Sequence, residues 1–561
     1  MKRPARPWNR VVLLLLVVPG LGAALVGCGS SGGDGAPSHS ELFGDGDAAS
    51  KAGSGAVSKA ELIKVTIEML RDAEENPGTT SFSNAAANLN QVFEGTPDAD
   101  FAMSPEAREY LKGELPRQRF DAAMRALESR KFETPEARHI EDCLLYQAVA
   151  ARAAGDGDDL DRLRRLFDWV VAQVALVPPE ALGGGDPDFR APARPYDVLL
   201  RGLAVEREEW SERSWVFITL CRQLGFDAGL LAYAPPGQER RVPWVCAAIV
   251  GGKPYLFDAR IGLPVPGPGG RGIATLEQAA TDPSILARLD LPESPYGTTA
   301  ADLAPGRVAV WIDSTFAFVA PRMRLLQREL AGDLKMVLFR DPGAQAAAFR
   351  KALGPYASEV RLWALPMEVS FRLVTDGAFV QATQSTLRYF DASLRLPLLP
   401  ARMQQLRASN PERMEKALES YVRLRIAEKL VMSVPTGPGS PPRQVPVPPE
   451  IQGVLNLYAT YYLALCHLDL GHPDDARRLF EQSLKLAPAA EASGVYVPAF
   501  QYGARANLGR LYAAAGDLAG ATHYLGQADP TPQGRGNRLR ARDLVLARPF
   551  SPPAAPPAPP R

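Results

Sequence analysis

The chain has 561 residues, of which 46% are apolar, and its 63 basic side chains balance 63 acidic ones for a formal net charge of zero. That length has room for several domains at ~100–200 residues each, with enough apolar side chains to fill ordinary cores. Zero net charge argues against a general nucleic-acid binder, which needs a surplus of positive charge.

At the start, Lys2, Arg3, Arg6 and Arg10 precede the unbroken apolar run Val11 to Val18, then small residues and Leu25-Val26-Gly27-Cys28. A positive start, a short apolar core and a small-residue cleavage site make an export signal. Val11 to Gly27 is 17 residues and contains Pro19 and three glycines. It therefore sits at the lower edge of the ~17–25 residues that span a bilayer, and suits a cleaved signal better than a permanent helix. Leu-Val-Gly-Cys resembles the lipobox of bacterial lipoproteins. The resemblance implies removal of residues 1–27 and acylation of Cys28, with palmitate among the chains. The protein would then be exported and held on the periplasmic or cell-surface side of a bacterial membrane. Several acyl chains anchor firmly where one is marginal, so no transmembrane span is required. An uncleaved anchor and an ordinary cleaved signal are the alternatives. Residues 28–56 are rich in Gly, Ser, Asp and Ala after the cysteine and read as a flexible tether.

Residues 57–157 read as helical, with Ser58 to Glu74 as one helix of imperfect apolar face. Next, Leu163, Leu166, Phe167, Val170, Val171 and Val174 give a clean one-sided helix, stopped by Pro178-Pro179. A helix over Ser211 to Leu224 is followed by strands at Gly229 to Tyr233, Val242 to Val250 and Lys253 to Asp258. Gly251-Gly252 marks the hairpin turn between the last two. Residues 301–433 read as α/β, with strand-like runs at Arg307 to Ile312, Met336 to Phe339 and Arg361 to Leu365. Residues 434–450 read as a stiff Pro-rich linker. Residues 531–561 read as a basic, Pro-rich tail whose PPAAPPAPPR end cannot form a core.

Two family resemblances lie within this frame. Tyr462 to Pro488 resembles the tetratricopeptide repeat, with Gly471 in the turn, Ala476 where the helices touch, Phe480 on the second helix and Pro488 closing the unit. Ala506 to Pro530 repeats the pattern with Gly516, Ala521, Tyr524 and Pro530. Gly471 to Gly516 is 45 residues against an ideal of ~34, so about eleven extra residues lie around Ala489 to Phe500. Two repeats fall short of the ~three usually needed for stability, so the 451–530 pair is expected to pack on neighbours such as Asn410 to Met432.

Within 158–300, Leu160 to Leu263 resembles the transglutaminase-like core, a papain-like fold. Leu224-Gly225-Phe226-Asp227-Ala228 matches that family's Leu-Gly-hydrophobic-x-Ala phrase, Trp244 the Trp of its His-x-Trp, and Asp258 its strand-ending Asp. The resemblance implies a nucleophilic Cys near the start of the preceding helix and a His two residues before Trp244. Those positions hold Trp210 and Val242. The five histidines are His39, His139, His467, His472 and His523, so none falls within residues 140–466. A thiolate needs a nearby imidazolium, so Cys221 and Cys246 read as small buried hydrophobes. Ser211 reads as a helix N-cap with Ser214 in the first turn. Glu208, Glu209, Glu212 and Asp258 are the carboxylates available for acid–base work, or else helix-dipole partners. Cys28, Cys143, Cys221, Cys246 and Cys466 are scattered with no C-x-x-C pair, so no disulfide framework, zinc site or cofactor is expected.

Arg535, Arg538, Arg540, Arg542 and Arg548 crowd the tail, either to meet anionic headgroups or an acidic partner, or as a solvated helix or disordered tail. The fold class expected is therefore multidomain α+β: a helical N-terminal region, a transglutaminase-like core, an α/β middle region and C-terminal repeat hairpins. The function expected is binding or scaffolding by a degenerate, non-catalytic domain plus repeats, with a protein or peptide partner held by the repeats or the papain-like cleft. A hydrolase or acyltransferase built around Glu212 and Asp258 is the rival, and a purely structural envelope component the third possibility.

Overall fold

The clean apolar stripe folds as its spacing predicts: Asp159–Gln173 is a helix that buries Leu163, Leu166, Phe167, Val170 and Val171 and is capped by the Asp158 carboxylate on Asp161 N. The computed structural model describes residues 58–71, 80–115, 117–179, 192–208, 210–235, 237–238, 240–380, 398–426, 431–434, 443–447, 449–491 and 498–546. The export signal, Cys28, the tether, Glu209, Arg548 and the Pro-rich end lie outside the described residues.

Five helices come first: α1 (Lys59–Arg71), α2 (Thr80–Val92), α3 (Pro105–Glu114), α4 (Phe120–Leu127) and α5 (Thr134–Ala154). Gly155, at φ 57°, ends α5 in a conformation that favours glycine, before Asp159–Gln173, α6. The short helix α7 (Pro195–Arg201) and the buried α8 (Glu212–Gln223) follow. Two strands of two residues, β1 (Ala175–Leu176) and β2 (Leu203–Ala204), pair in parallel beside them.

One six-stranded sheet holds the centre, in the order β6-β5-β4-β3-β7-β8. Its members are β3 (Ala228–Tyr233), β4 (Val242–Val250), β5 (Lys253–Asp258), β6 (Leu263–Pro264), β7 (Val308–Ile312) and β8 (Ala357–Leu362). All pairings are antiparallel except β7 with β8. Gly251 and Gly252 both take positive φ, 55° and 76°, as a two-residue hairpin turn requires. Side chains alternate across the sheet. Leu230, Cys246, Ala248 and Phe257 share a core with α6 and α8, while Leu231, Val245, Ala247 and Leu256 join a second core with residues of α9 (Pro342–Leu353). With both faces covered, β3, β4 and β7 read as near-continuous apolar runs.

Two expected boundaries move. The division at residue 300 falls inside this sheet, because β7 and β8 from the 301–433 segment extend it from β3. The N-terminal helices likewise share their core with Phe318, Met323, Leu326 and Leu338. Met336 to Phe339 is extended but is no strand, because side chains rather than a neighbouring strand satisfy its backbone. Gln223 bonds both N–H and C=O of Val337, Gln327 accepts from Leu338 N and Phe339 N, and His139 Nε2 meets Leu338 O at 3.0 Å. The Arg361 to Leu365 run ends as strand at Leu362, and α10 (Ala364–Thr375) follows.

The C-terminal part is a helical array: α11 (Leu398–Arg407), α12 (Pro411–Ile426), α13 (Pro449–Asp469), α14 (Pro473–Glu491), α15 (Pro498–Ala514), α16 (Leu518–Leu525) and α17 (Pro532–Val545). The expected Pro-rich linker is bracketed by backbone pairing. Its described ends form an antiparallel hairpin, β9 (Val431–Val434) with β10 (Arg443–Pro446), where an edge strand tolerates proline. Pro488 does not close its unit either, since α14 runs through it to Glu491. The longer helix absorbs part of the expected insertion. Among the described residues, no helix is long and apolar enough to cross a membrane.

Candidate functional site

The transglutaminase-like positions meet at the start of α8. Ser211 caps the helix, accepting from Ser214 N at 3.1 Å, and its hydroxyl donates to Ser214 Oγ at 2.6 Å. Trp210 is buried where the resemblance places the nucleophile, with the Arg207 guanidinium 5.3 Å from its ring centroid. Val242, at the position of the expected histidine, pairs with Tyr233 at the start of β4.

The Asp258 carboxylate, fully buried, has its lone pairs occupied. Tyr296 Oη donates to it at 2.7 Å, Arg260 N at 3.0 Å and Arg260 Nε at 3.3 Å. Trp244 Nε1 in turn donates to Tyr296 Oη at 3.0 Å. A Trp–Tyr–Asp chain thus stands where a Cys–His–Asp triad would need a histidine. Burial, and then the Asp258 charge, hold the Tyr296 phenol far above its ordinary range, so it remains a donor. Sequence reading missed Tyr296 because a loop tyrosine carries no spacing signal.

Cys221 and Cys246 are both fully buried, Cys246 donating weakly to Ser214 O at 3.7 Å. Burial pushes the Cys246 thiol up to about 12 and Cys221 well above its usual value. Neither is poised as a thiolate. One Cys–His contact does exist, on α5, where Cys143 Sγ is 3.7 Å from His139 Nε2. Burial again favours both neutral forms, raising the thiol and lowering the imidazole to about 4.

Of the remaining carboxylates, Glu212 is locked by the buried Arg201 guanidinium and by Ala193 N and Val205 N, at 2.7 and 2.8 Å. That arrangement commits Glu212 itself to the fold rather than to acid–base work. Glu208 is exposed. Glu206, which the sequence did not single out, is half-buried beside the cap. Burial pushes it up to about 7, opposed by the Ser211 hydroxyl and the Arg213 charge. Two cavities of about 220 and 270 Å³ lie elsewhere, one under Leu160, Arg164, Asp168 and Arg540, the other between Lys253, Thr275 and Tyr356. Trp210, Ser211, Ser214 and Asp258 line neither.

The repeat region keeps its expected contacts. Ala476 and Ala521 are both fully buried at the helix junctions, and Gly471 and Gly516 turn the chain at φ 72° and 77°. The first helix of each hairpin faces the central domain. Tyr462 Oη donates to Arg201 O at 2.7 Å, Asn507 Nδ2 to Ala172 O at 3.1 Å, and Trp169 Nε1 reaches Asp469 Oδ1 at 2.8 Å. On the other side α12 supplies Tyr421 and Leu424 to the same core, the neighbour that a two-repeat array needs. The second helices, α14 and α16, expose Gln482, Lys485, Leu518 and His523.

Among the described residues, the arginines of the basic stretch are held by the central domain. Arg535 donates to Leu289 O, Ser294 O and Pro295 O, Arg540 to Gly262 O, and Arg542 to Arg288 O and Asp290 O, while Arg538 pairs with Glu293. Arg535, Arg540 and Arg542 thus serve as donors to carbonyl oxygens of the 262–295 region. Gly536 permits the approach, since a Cβ there would overlap Ile261 O.

The tetratricopeptide repeat family model matches residues 458–490, the end of α13 and nearly all of α14. No curated protein and no solved structure matches the chain. The class so defined is a mixed α+β protein carrying a tetratricopeptide repeat, a unit that suggests protein–protein interaction.

Proposed function

We propose that this chain is a lipid-anchored scaffold of the bacterial cell envelope. It would be held at Cys28 and bind a protein partner through its helical array, with a central domain that has lost thiol catalysis. The repeat match at residues 458–490 carries the binding part of this reading. The docked first helices leave the outer faces of α14 and α16 as the surface open to a partner. The non-catalytic part is supported by Tyr296 on Asp258 and by buried, protonated thiols. The anchor rests on Leu25-Val26-Gly27-Cys28 behind a short apolar run.

The full-length chain, solubilised in detergent, should capture a stoichiometric partner from envelope extract. A Lys485→Glu/His523→Glu variant should lose that partner with unchanged melting. Equal capture by parent and variant would remove α14 and α16 as the binding surface. For the anchor, labelled palmitate should enter the parent and not Cys28→Ser, and equal labelling would end that part of the proposal.

The rival class, a carboxylate-assisted hydrolase, is favoured by one observation, the raised Glu206 carboxyl beside Ser211. Peptide cleavage or amide transfer that Glu206→Gln abolishes without lowering stability would favour it.

A further inference from the structure

The turn between α13 and α14 gathers three side chains that the repeat pattern does not use. His467 is in the last turn of α13, and His472 precedes Pro473 at the start of α14. Asp475 lies in the first turn of α14, giving the spacing His-x4-His-x2-Asp. Gly471, at φ 72°, reverses the chain, and His472 N donates to His467 O at 2.8 Å, folding the turn back on the helix end. The two imidazole centroids are 5.7 Å apart. His467 Nδ1 is 3.9 Å from Asp475 Oδ2, too long for a hydrogen bond, and one donor atom from each of the three residues lies within 4.8 Å of the others. His467 Nδ1 is also shielded from solvent with no hydrogen-bond partner among the described residues, a costly state for a buried ring nitrogen. The other Asp475 oxygen takes the Arg478 guanidinium, which leaves Oδ2 on the side of the imidazole.

We infer that this turn binds a divalent transition-metal ion through His467, His472 and Asp475. Two imidazoles and a carboxylate suit Zn²⁺ and its neighbours in the first row, whereas Mg²⁺ and Ca²⁺ demand oxygen-rich sets. Tetrahedral coordination at ~2.0–2.1 Å brings ligand atoms to about 3.3 Å of each other. The three groups therefore need to close by roughly an ångström, within reach of side-chain rotation at a turn. Three protein ligands leave a fourth tetrahedral position for water or a partner's side chain, and His472 is exposed. The cysteine pattern carried no hint of such a site, because its donors are two histidines and an aspartate spread over the end of α13, the turn and the start of α14.

The test uses the full-length chain without a polyhistidine tag, stripped of metal and titrated with Zn²⁺ by calorimetry. Binding should saturate at one equivalent and raise the melting temperature. His472→Ala, at an exposed position, and Asp475→Asn, which keeps the side-chain shape, should each weaken binding at least about tenfold and remove the thermal shift. His523→Ala, on α16, should change neither. In the Co²⁺-loaded parent, visible d–d bands should appear and then vanish in His472→Ala. Absence of saturable binding in the parent would overturn the inference. Equal binding by parent, His472→Ala and Asp475→Asn would overturn it too, by placing the ion elsewhere.

Discussion

The start of α8 and the start of α14 are both helix N-termini rich in polar side chains, and they are built oppositely. At α8, Ser211, Ser214, Glu212 and Arg213 are all buried, and the ion pair of Glu212 with Arg201 is closed by two backbone N–H donors. At α14, Asp474 and Asp475 pair with Arg477 and Arg478 one turn along, at or near the surface. Burying a charged group is costly unless it is paired and hydrogen-bonded, and Glu212 has an arginine and two backbone donors, so it is committed to holding the fold. The exposed set at α14 contributes little to stability and remains free to meet something else. The contrast separates a region that resembles an active centre from one able to bind.

Breaking the buried pair should have the largest effect. Glu212→Ala leaves the buried Arg201 charge without its carboxylate and should cost about 3–5 kcal/mol, read from the urea midpoint. Asp474→Ala, its counterpart on α14, should cost no more than about 0.5 kcal/mol. A small loss at Glu212 would show that water reaches the α8 start and that the site is open. Next in size, Ala476→Arg or Ala521→Arg forces a charge into a tight helix contact at several kcal/mol. Limited proteolysis should then cut first within 451–530, and unchanged resistance would show the hairpins to be packed otherwise. Gly536→Val should cost about 1–3 kcal/mol by lifting α17 off Ile261, seen as earlier release of a C-terminal fragment under protease.

Two half-buried groups should give opposing pH dependences. Glu206 is raised from 4.5 to about 7 in the folded chain, so its contribution is complete below pH 4.5 and is lost as pH rises through about 7. His139 is lowered from 6.5 to about 4, so its contribution is complete above pH 6.5 and is lost as pH falls through about 4. Between pH 4.5 and 6.5 the two slopes oppose each other. Relative to the parent, Glu206→Gln should therefore tilt the stability profile upward with pH across that window, and His139→Gln should tilt it downward. Each change is on the order of 1–3 kcal/mol, measured by denaturation at fixed pH. Parallel profiles in the two variants would show that neither group is buried as described.

The smallest effect is the absence of one. Iodoacetamide should leave Cys143, Cys221, Cys246 and Cys466 unmodified in the native chain and label all four after unfolding, counted by mass. Rapid native labelling of Cys246 would reopen the question of thiol chemistry at α8.

Much of this was legible where the signal is local. Val242 to Val250 and Lys253 to Asp258 appear as strands at the residues their patterns predict, since alternation and a Gly-Gly turn need no distant partner. Ser211 is the α8 cap, and the junction alanines are buried, for the same reason. What failed depended on partners far along the chain. Met336 to Phe339 has strand composition, yet side-chain amides from Gln223 and Gln327 took the place of a neighbouring strand. The arginines of α17 looked free because the carbonyl oxygens that receive them lie about 250 positions earlier. Neither Tyr296 on Asp258 nor the boundary lost at residue 300 had a spacing to betray it.

The docking of the first repeat helices onto the central domain also bears on the order in which the molecule is made. Trp169 waits for Asp469, 300 positions later, and the core around α6 contains Tyr461, Tyr462 and Phe500. Contacts of that sequence separation form only after long loops close, which slows folding and populates partly built states. A chain emerging from its N-terminus would present α6 and β1 with apolar faces uncovered until α13 and α15 arrive. Transient protection of that surface is then a requirement of biogenesis, and a truncation before residue 449 should yield an insoluble product rather than a smaller soluble one.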